Sequence, residues 1–323
     1  MTSSATPYHL AWQWAPAIVL AALLAFFTAV NPNFLSVANL ARMSISATPA
    51  LLVALGVTFI IIMGSIDLSM EGVVSTTAVV FGWLFLALGG HLAEGWAWVA
   101  LPAAIAAGAV FGYINGLIHI RLSIPSFMSS LAMGFVGTGI AILMTGGEQI
   151  RIEDDVFRAL LLQRWWNFPL MAYVGVAAVL LAWFIQRKTV LGRNFYAVGG
   201  GEHLAHASGL NVYRVRLLGF MLAGMFYAAA ALLATARLGM AEANTGSNYM
   251  FVSITSVVVG GTTLLGGSGG VWNTVAGVLI VNVISNGMVV AGLPRYLQDG
   301  VLGLLVIIAV VLSTDRKSIS FVK

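Results

Sequence analysis

Along the chain, apolar residues come in blocks about as long as a membrane-crossing helix, and sparse charges mark the ends of the blocks. A transmembrane helix needs about 20 mostly apolar residues. No side-chain charge precedes Arg42, and uncharged gaps of 24, 22, 26 and 26 residues then separate Arg42 from Asp67, Glu71 from Glu94, Glu94 from Arg121, and Arg121 from Glu148. Gaps of 22 and 20 residues lie between Arg164 and Arg187 and between Arg216 and Arg237. The 52 uncharged residues between Glu242 and Arg295 hold two spans with a turn. The 15 residues between Asp299 and Asp315 make one more when completed from Arg295 onward. The pattern predicts an all-α integral membrane protein with about ten transmembrane helices, over 12–30, 49–64, 72–89, 96–118, 125–145, 170–186, 214–235, 250–265, 271–291 and 295–313. The first is read as a retained span, because it lacks a basic segment before it and a small-residue cleavage site after it. Trp12 and Trp14 are its expected interfacial anchors.

Composition agrees and narrows the class. Sixty per cent of the residues are hydrophobic and 8% are charged, whereas soluble domains carry about a quarter charged residues. Fifteen Lys and Arg with 11 Asp and Glu cannot form the polar shell of a 323-residue soluble protein. A soluble enzyme, a nucleic-acid-binding domain and a disordered chain are thereby excluded. The net charge of +4 reflects orientation in a membrane rather than a nucleic-acid partner. The absence of cysteine removes disulfide and metal–thiolate chemistry. An even number of spans puts both termini on one side. Placing them in the cytoplasm gives nine Lys or Arg in inner loops against six outside, with five of the nine clustered in 187–216. Residues 1–323 read as one transmembrane domain, whose longest polar stretches are 146–169 and 187–213. Within the first, 151–166 predicts a short amphipathic helix on the outer surface, ending in an aromatic belt.

Two segments resist the membrane pattern. GSIDLSMEG at 64–72 and GGTTLLGGSGG at 260–270 interrupt apolar runs with small, flexible residues. Backbone leaves the helix at membrane depth only where it is buried in protein or lines a wet cavity, and broken helices build substrate sites in transporters. These breaks and the Asn-Gly steps give a pathway set of Ser65, Asp67, Ser69, Glu71, Asn115, Thr262 and Asn286. Asp67 is the sharpest of them, with Glu71 four residues on and on the same face if the segment is helical. It either contacts a hydroxylated substrate, titrates in a proton-coupled carrier, or caps the next span. A faint internal echo relates Gly64-Ser65 to Gly260-Gly261 and Asn115-Gly116 to Asn286-Gly287, at offsets of 196 and 171 residues. In 187–213, Gly199 to Gly201 predict a turn, Glu202 to Ala207 a short helix, and Gly209 its stop. Such a projecting helix suits docking to a soluble partner. No phosphate loop of the G-x-x-x-x-G-K-[ST] type occurs, so ATP-driven transport requires a separate ATPase chain.

GSIDLSMEG at 64–72, INGLIHIRLSIPSF at 114–127, GRNFYAVGGGEHLAHASGLNV at 192–212 and GGTTLLGGSGG at 260–270 together resemble the permease subunits of bacterial sugar ABC importers, of the ribose, xylose, arabinose and galactose type. The resemblance covers nearly the whole chain in order. It implies an inner-membrane permease that pairs with itself or a related permease. A periplasmic sugar-binding protein would deliver the substrate, and two ATPase domains on the cytoplasmic face would use ATP-Mg, so the permease has no cofactor of its own. The implied coupling element comprises Arg193, Gly199, Gly200, Glu202, His203, Ala205, Ser208 and Gly209. The sequence departs from the family pattern at Gly201, where Asn is usual, at His203 and Leu204, where Ala is frequent, and at Glu71, where Gly is common. Implied partners also include membrane lipid but no nucleic acid and no metal.

Two rival classes have distinct requirements. A proton-coupled carrier would use Asp67 and Glu71, but no chain of His, Asp and Glu forms a relay. A membrane enzyme would need a nucleophile–base pair or metal cluster, and His91 with Glu94 is the nearest approach to one.

Overall fold

The computed structural model describes residues 7–307, apart from 94, 295, 296, 299, 302, 305 and 306. Helices dominate, because backbone polar groups in hydrocarbon must be satisfied within the chain. They are α1 (Pro7–Val30), α2 (Val37–Ile62), α3 (Met70–Ala87), α4 (Ala100–Arg121), α5 (Ser126–Thr145), α6 (Asp155–Leu162), α7 (Leu170–Lys188), α8 (Val190–Gly200), α9 (Glu202–Ala207), α10 (Val212–Leu238), α11 (Tyr249–Val259) and α12 (Val271–Val290). Among the described residues, seven are long and apolar enough to cross a membrane: α2, α3, α4 with its leading turn, α5, α7, α10 and α12. Pro16–Val30 within α1, and α11, are shorter apolar helices. The chain is therefore an all-α membrane protein. The expected span 295–313 lies largely outside the described residues.

Two expected spans need correction. The one at 49–64 is the inner part of a longer helix, since α2 starts at Val37 and Ser36 Oγ caps it by accepting from Asn39 N at 3.3 Å. Exposed Arg42 lies inside that helix, so its charge does not mark a boundary. The span expected at 250–265 ends at Val259, because Gly260 and Gly261 (φ +93°) turn the chain out of α11.

At the centre, α10 packs against α4, α2 and α3. Small residues let these backbones approach closely. Gly108 of α4 meets the backbone of Gly224, and Gly112 meets that of Phe220, leaving no room for a Cβ at either position. In the loops that flank α6 and follow α10, β1 (Ile150–Arg151) pairs antiparallel with β4 (Met240–Ala241), and β2 (Arg164–Trp165) with β3 (Phe168–Pro169). The amphipathic helix expected in 151–166 is α6, capped by Asp154 Oδ1, which accepts from Phe157 N at 2.7 Å. Phe157 is buried with its ring centroid 4.8 Å from that of Phe81, fastening α6 to α3.

Candidate functional site

The first break is a built feature. Gly64 (φ +75°) ends α2, with Gly64 N donating to Ile61 O at 2.9 Å and Ser65 N to Ile60 O at 3.1 Å, the paired bonds of a glycine-terminated helix. Residues 65–69 then run without helix to Met70. Two serines one helical turn apart on α5 satisfy the freed backbone: Ser126 Oγ accepts from Ile66 N at 3.0 Å and Ser130 Oγ from Leu68 N at 2.9 Å. Two extended residues advance about 6.6 Å and four helical residues about 6 Å, so the spacings match.

That segment places Asp67 in the interior, 2% exposed. Its Oδ1 accepts from Ser69 N at 2.9 Å, Ser69 Oγ at 2.6 Å and Asn115 Nδ2 at 3.3 Å. Its Oδ2 accepts from the Tyr227 hydroxyl at 3.1 Å. Two of these contacts come from N–H groups, which only donate, and two from hydroxyls. Asp67 thus ties the entry of α3 to α4 and α10. Asn115 Oδ1 is buried without a partner among the described residues. The expected common helical face for Asp67 and Glu71 is not formed, because Asp67 precedes the helix.

Glu71 points to a different element. Its Oε1 accepts from Met250 N at 3.2 Å in the first turn of α11, where the helix dipole favours an anion. Just before α11, Gly246 N donates to Ser75 Oγ of α3 at 3.1 Å, and the buried Tyr249 hydroxyl has no partner among the described residues. Ser65 is buried in the break. Thr262 lies in the second break, where its Oγ1 accepts from Gly270 N at 3.3 Å. Asn286 is brought elsewhere: its Oδ1 accepts from Asn39 Nδ2 at 2.8 Å, clamping α12 to α2. The structure therefore gathers Asp67, Ser69 and Asn115, sets Glu71 beside them on another seam, and leaves Thr262 and Asn286 apart. The two Asn-Gly steps of the internal echo consequently occupy unlike surroundings.

The second break joins the end of α2 to α7 and α8. Gly267 N donates to Ile62 O at 2.9 Å, and Gly199 of α8 packs so tightly on Ile62 O and Gly267 N that a Cβ has no space. Tyr196 OH donates to Gly269 O at 2.7 Å, and Gln186 Oε1 accepts from Val271 N at 2.9 Å. Next comes α9 over Glu202–Ala207, ended by Gly209 at φ +81° with Leu210 N donating to Ala205 O at 3.1 Å. Glu202 Oε2 pairs with Arg216 Nη2 at 2.8 Å, fastening α9 to α10. Ala205 is buried, whereas Gly200, Arg193, His203, Ser208 and Gly209 are exposed, and Leu204 presents 74% of its surface. The turn expected over Gly199 to Gly201 is confined to Gly201, because Gly199 and Gly200 complete the last turn of α8. The end of α2, the 260–270 loop and the end of α8 thus form one backbone junction, five residues from Asp67.

Residues 39–310 match the family described as branched-chain amino acid transport system / permease component. The chain belongs to this permease family. Among its relatives is the ribose import permease protein RbsC of Escherichia coli (strain K12), 29% identical over 304 residues covering 93% of each chain. The L-arabinose transport system permease protein AraH of the same strain is 29% identical over 303 residues, 93% of this chain and 89% of its own. The probable ABC transporter permease protein YphD, also of that strain, is 33% identical over 310 residues, 93% of this chain and 90% of its own. No solved structure matches the sequence. The proton-coupled carrier has no support in this family.

Several residues that build the permease's interior escape the sequence reading. Tyr227 sits in an alanine-rich apolar helix and carries no local signal of its polar role. Ser126 and Ser130 do carry one, in their four-residue spacing just after the α4–α5 turn. Of the rival enzyme pair, Glu94 lies outside the described residues, and His91 Nδ1 stands 3.7 Å from Asp154 Oδ2.

Proposed function

We propose that this permease is the membrane subunit of an ATP-driven, binding-protein-dependent importer for a monosaccharide or similar small polyol. It would reside in the bacterial inner membrane. The ribose and arabinose permeases it resembles over nearly their full length support a pentose-like cargo. The observation that carries the mechanism is the junction of Gly199, Ile62 and Gly267, which links α9 to the Asp67 break. A cytoplasmic ATPase docks on α9 and its exposed Leu204, and displacement there reaches 64–69 through backbone contact. Arg193, Gly199, Gly200, Glu202, His203, Ala205, Ser208 and Gly209 form the coupling element. Ser65, Asp67, Ser69, Glu71, Asn115, Thr262 and Asn286 remain the proposed pathway set, with Asp67, Asn115 and Glu71 nearest the moving break. Asn115 Oδ1 and the Tyr249 hydroxyl have hydrogen-bonding capacity left for a hydroxylated substrate.

The full assembly would contain ten spans, counting α1, α11 and 295–313 with the seven long helices, and both termini would be cytoplasmic. A second permease copy or a related permease, a periplasmic binding protein and the ATPase complete it. The permease itself uses no cofactor, and ATP-Mg is hydrolysed by the partner. Proteoliposomes holding the permease and ATPase test the reading: pentose uptake is expected only with ATP and the loaded binding protein. Uptake by the permease alone, or uptake of leucine in place of pentose, refutes it.

A further inference from the structure

The cytoplasmic ends of α4 and α10 part below their glycine seam and leave a groove of about 470 Å³. The antiparallel register that sets Gly108 against Gly224 and Gly112 against Phe220 continues downward. It brings Arg121, the last residue of α4, into the same groove as Arg214 in the first turn of α10. Both arginines are exposed, and among the described residues neither has a carboxylate within ion-pair distance. No acidic residue lines the groove. Ser123, held at φ +52° just after α4, adds a hydroxyl at the same level. The neighbouring cleft beside α9 differs, because its Arg216 is already paired with Glu202.

The upper wall is apolar. Leu117 and Leu217 face the groove, and Tyr113 closes it eight residues before Arg121, about 12 Å further into the membrane at 1.5 Å per residue. Tyr113 is 39% exposed, and Ile114 and Leu218 beside the groove are exposed as well. The groove therefore opens sideways toward hydrocarbon, with its charge at the cytoplasmic surface.

We propose that this groove binds an anionic phospholipid of the cytoplasmic leaflet. Arg121 and Arg214 hold the headgroup phosphate, since guanidinium groups match phosphate geometry and basic pockets between helices on this side of a membrane suit anionic headgroups. An acyl chain lies along Leu117 and Leu217, and the Tyr113 hydroxyl reaches the ester level. A free phosphate shares the headgroup chemistry but leaves the apolar wall uncovered. An acidic protein surface reaches only the charged end.

The test uses the purified permease in a zwitterionic detergent, titrated with phosphatidylglycerol or phosphatidylcholine, with bound lipid counted by native mass spectrometry. Phosphatidylglycerol is expected to bind the more tightly. Arg121→Gln and Arg214→Gln should each weaken it about fivefold, given the attraction of single basic residues to anionic surfaces. Arg187→Gln, which removes an exposed charge at the end of α7, should leave it unchanged. Equal binding of the two lipids by the parent protein, a comparison needing no variant, overturns the proposal, as does undiminished binding in the double variant. An equal loss in Arg187→Gln overturns it by reducing the effect to net charge. Displacement of phosphatidylglycerol by equimolar inorganic phosphate would reassign the groove to a free anion, and displacement by the partner ATPase would reassign it to a protein surface.

Discussion

Replacing Tyr227 by Phe isolates one hydrogen bond in the permease interior. Among the described residues the hydroxyl is the sole donor to Asp67 Oδ2, at 3.1 Å, and both residues are at most 2% exposed. The ring remains, so its packing against Gly56 is retained and no cavity opens. Removing one partner of a buried hydrogen-bonded pair costs about 1–3 kcal/mol, because the other is left undersolvated. The three donors on Oδ1 stay in place, so the expected loss is about 2 kcal/mol rather than that of a stranded charge. Denaturant titration in detergent, followed by tryptophan fluorescence, measures it, and each variant is repeated in an Asp67→Asn background. The double-mutant cycle should return a coupling of at least about 0.5 kcal/mol, as for groups in direct contact. A Tyr227→Phe protein within about 0.5 kcal/mol of the parent, or an undiminished loss in the Asp67→Asn background, would refute the reasoning.

Four further outcomes follow from the same geometry. Ser130→Ala strands Leu68 N–H in the break and should cost about 1–3 kcal/mol in the same titration, while Ser130→Thr restores most of it. Gly199→Ala forces a Cβ against Ile62 O, so binding-protein-stimulated ATPase activity in proteoliposomes should fall while the basal rate stays; full stimulation would break the proposed link. Glu202→Gln removes an ion pair that is half in solvent, so stability should change by less than about 1 kcal/mol while coupling of hydrolysis to uptake declines. Gly108→Leu separates α4 from α10, and thermal stability in detergent should drop sharply; an unchanged melting temperature would show that the backbone contact is dispensable.

Local chemistry was readable in the sequence, and tertiary pairing was not. The residues Glu202 to Ala207 form the predicted short helix because Gly201, the run EHLAHA and Gly209 each act within a turn of chain. Charge gaps located α3, α4, α5, α7 and α10 for the same reason, since a charge resists hydrocarbon wherever the chain goes next. They failed at Arg42, where α2 extends beyond the apolar run, and at α11, where glycines rather than charges end the helix. Asp67 stood out by its cost in a membrane, but its partner Tyr227 is 160 residues away and its backbone supports lie on α5. Glu71 looked like the companion of Asp67 until the five-residue break turned the two carboxylates onto separate seams. Nothing local announced that 260–270 would rest on Gly199.

That contact between Gly199, Ile62 and Gly267 is made by main-chain atoms alone. A joint of this kind carries position and no chemical identity. If the proposed stroke passes through this joint, polar groups near the start of α11, such as Glu71 and Ser75, could be exchanged to suit another cargo without retuning it, whereas a single added methyl group at the joint would alter it for every cargo alike. Under the proposed mechanism, selectivity and motive power would be separable by mutation, with the boundary between them running between Gly64 and Asp67.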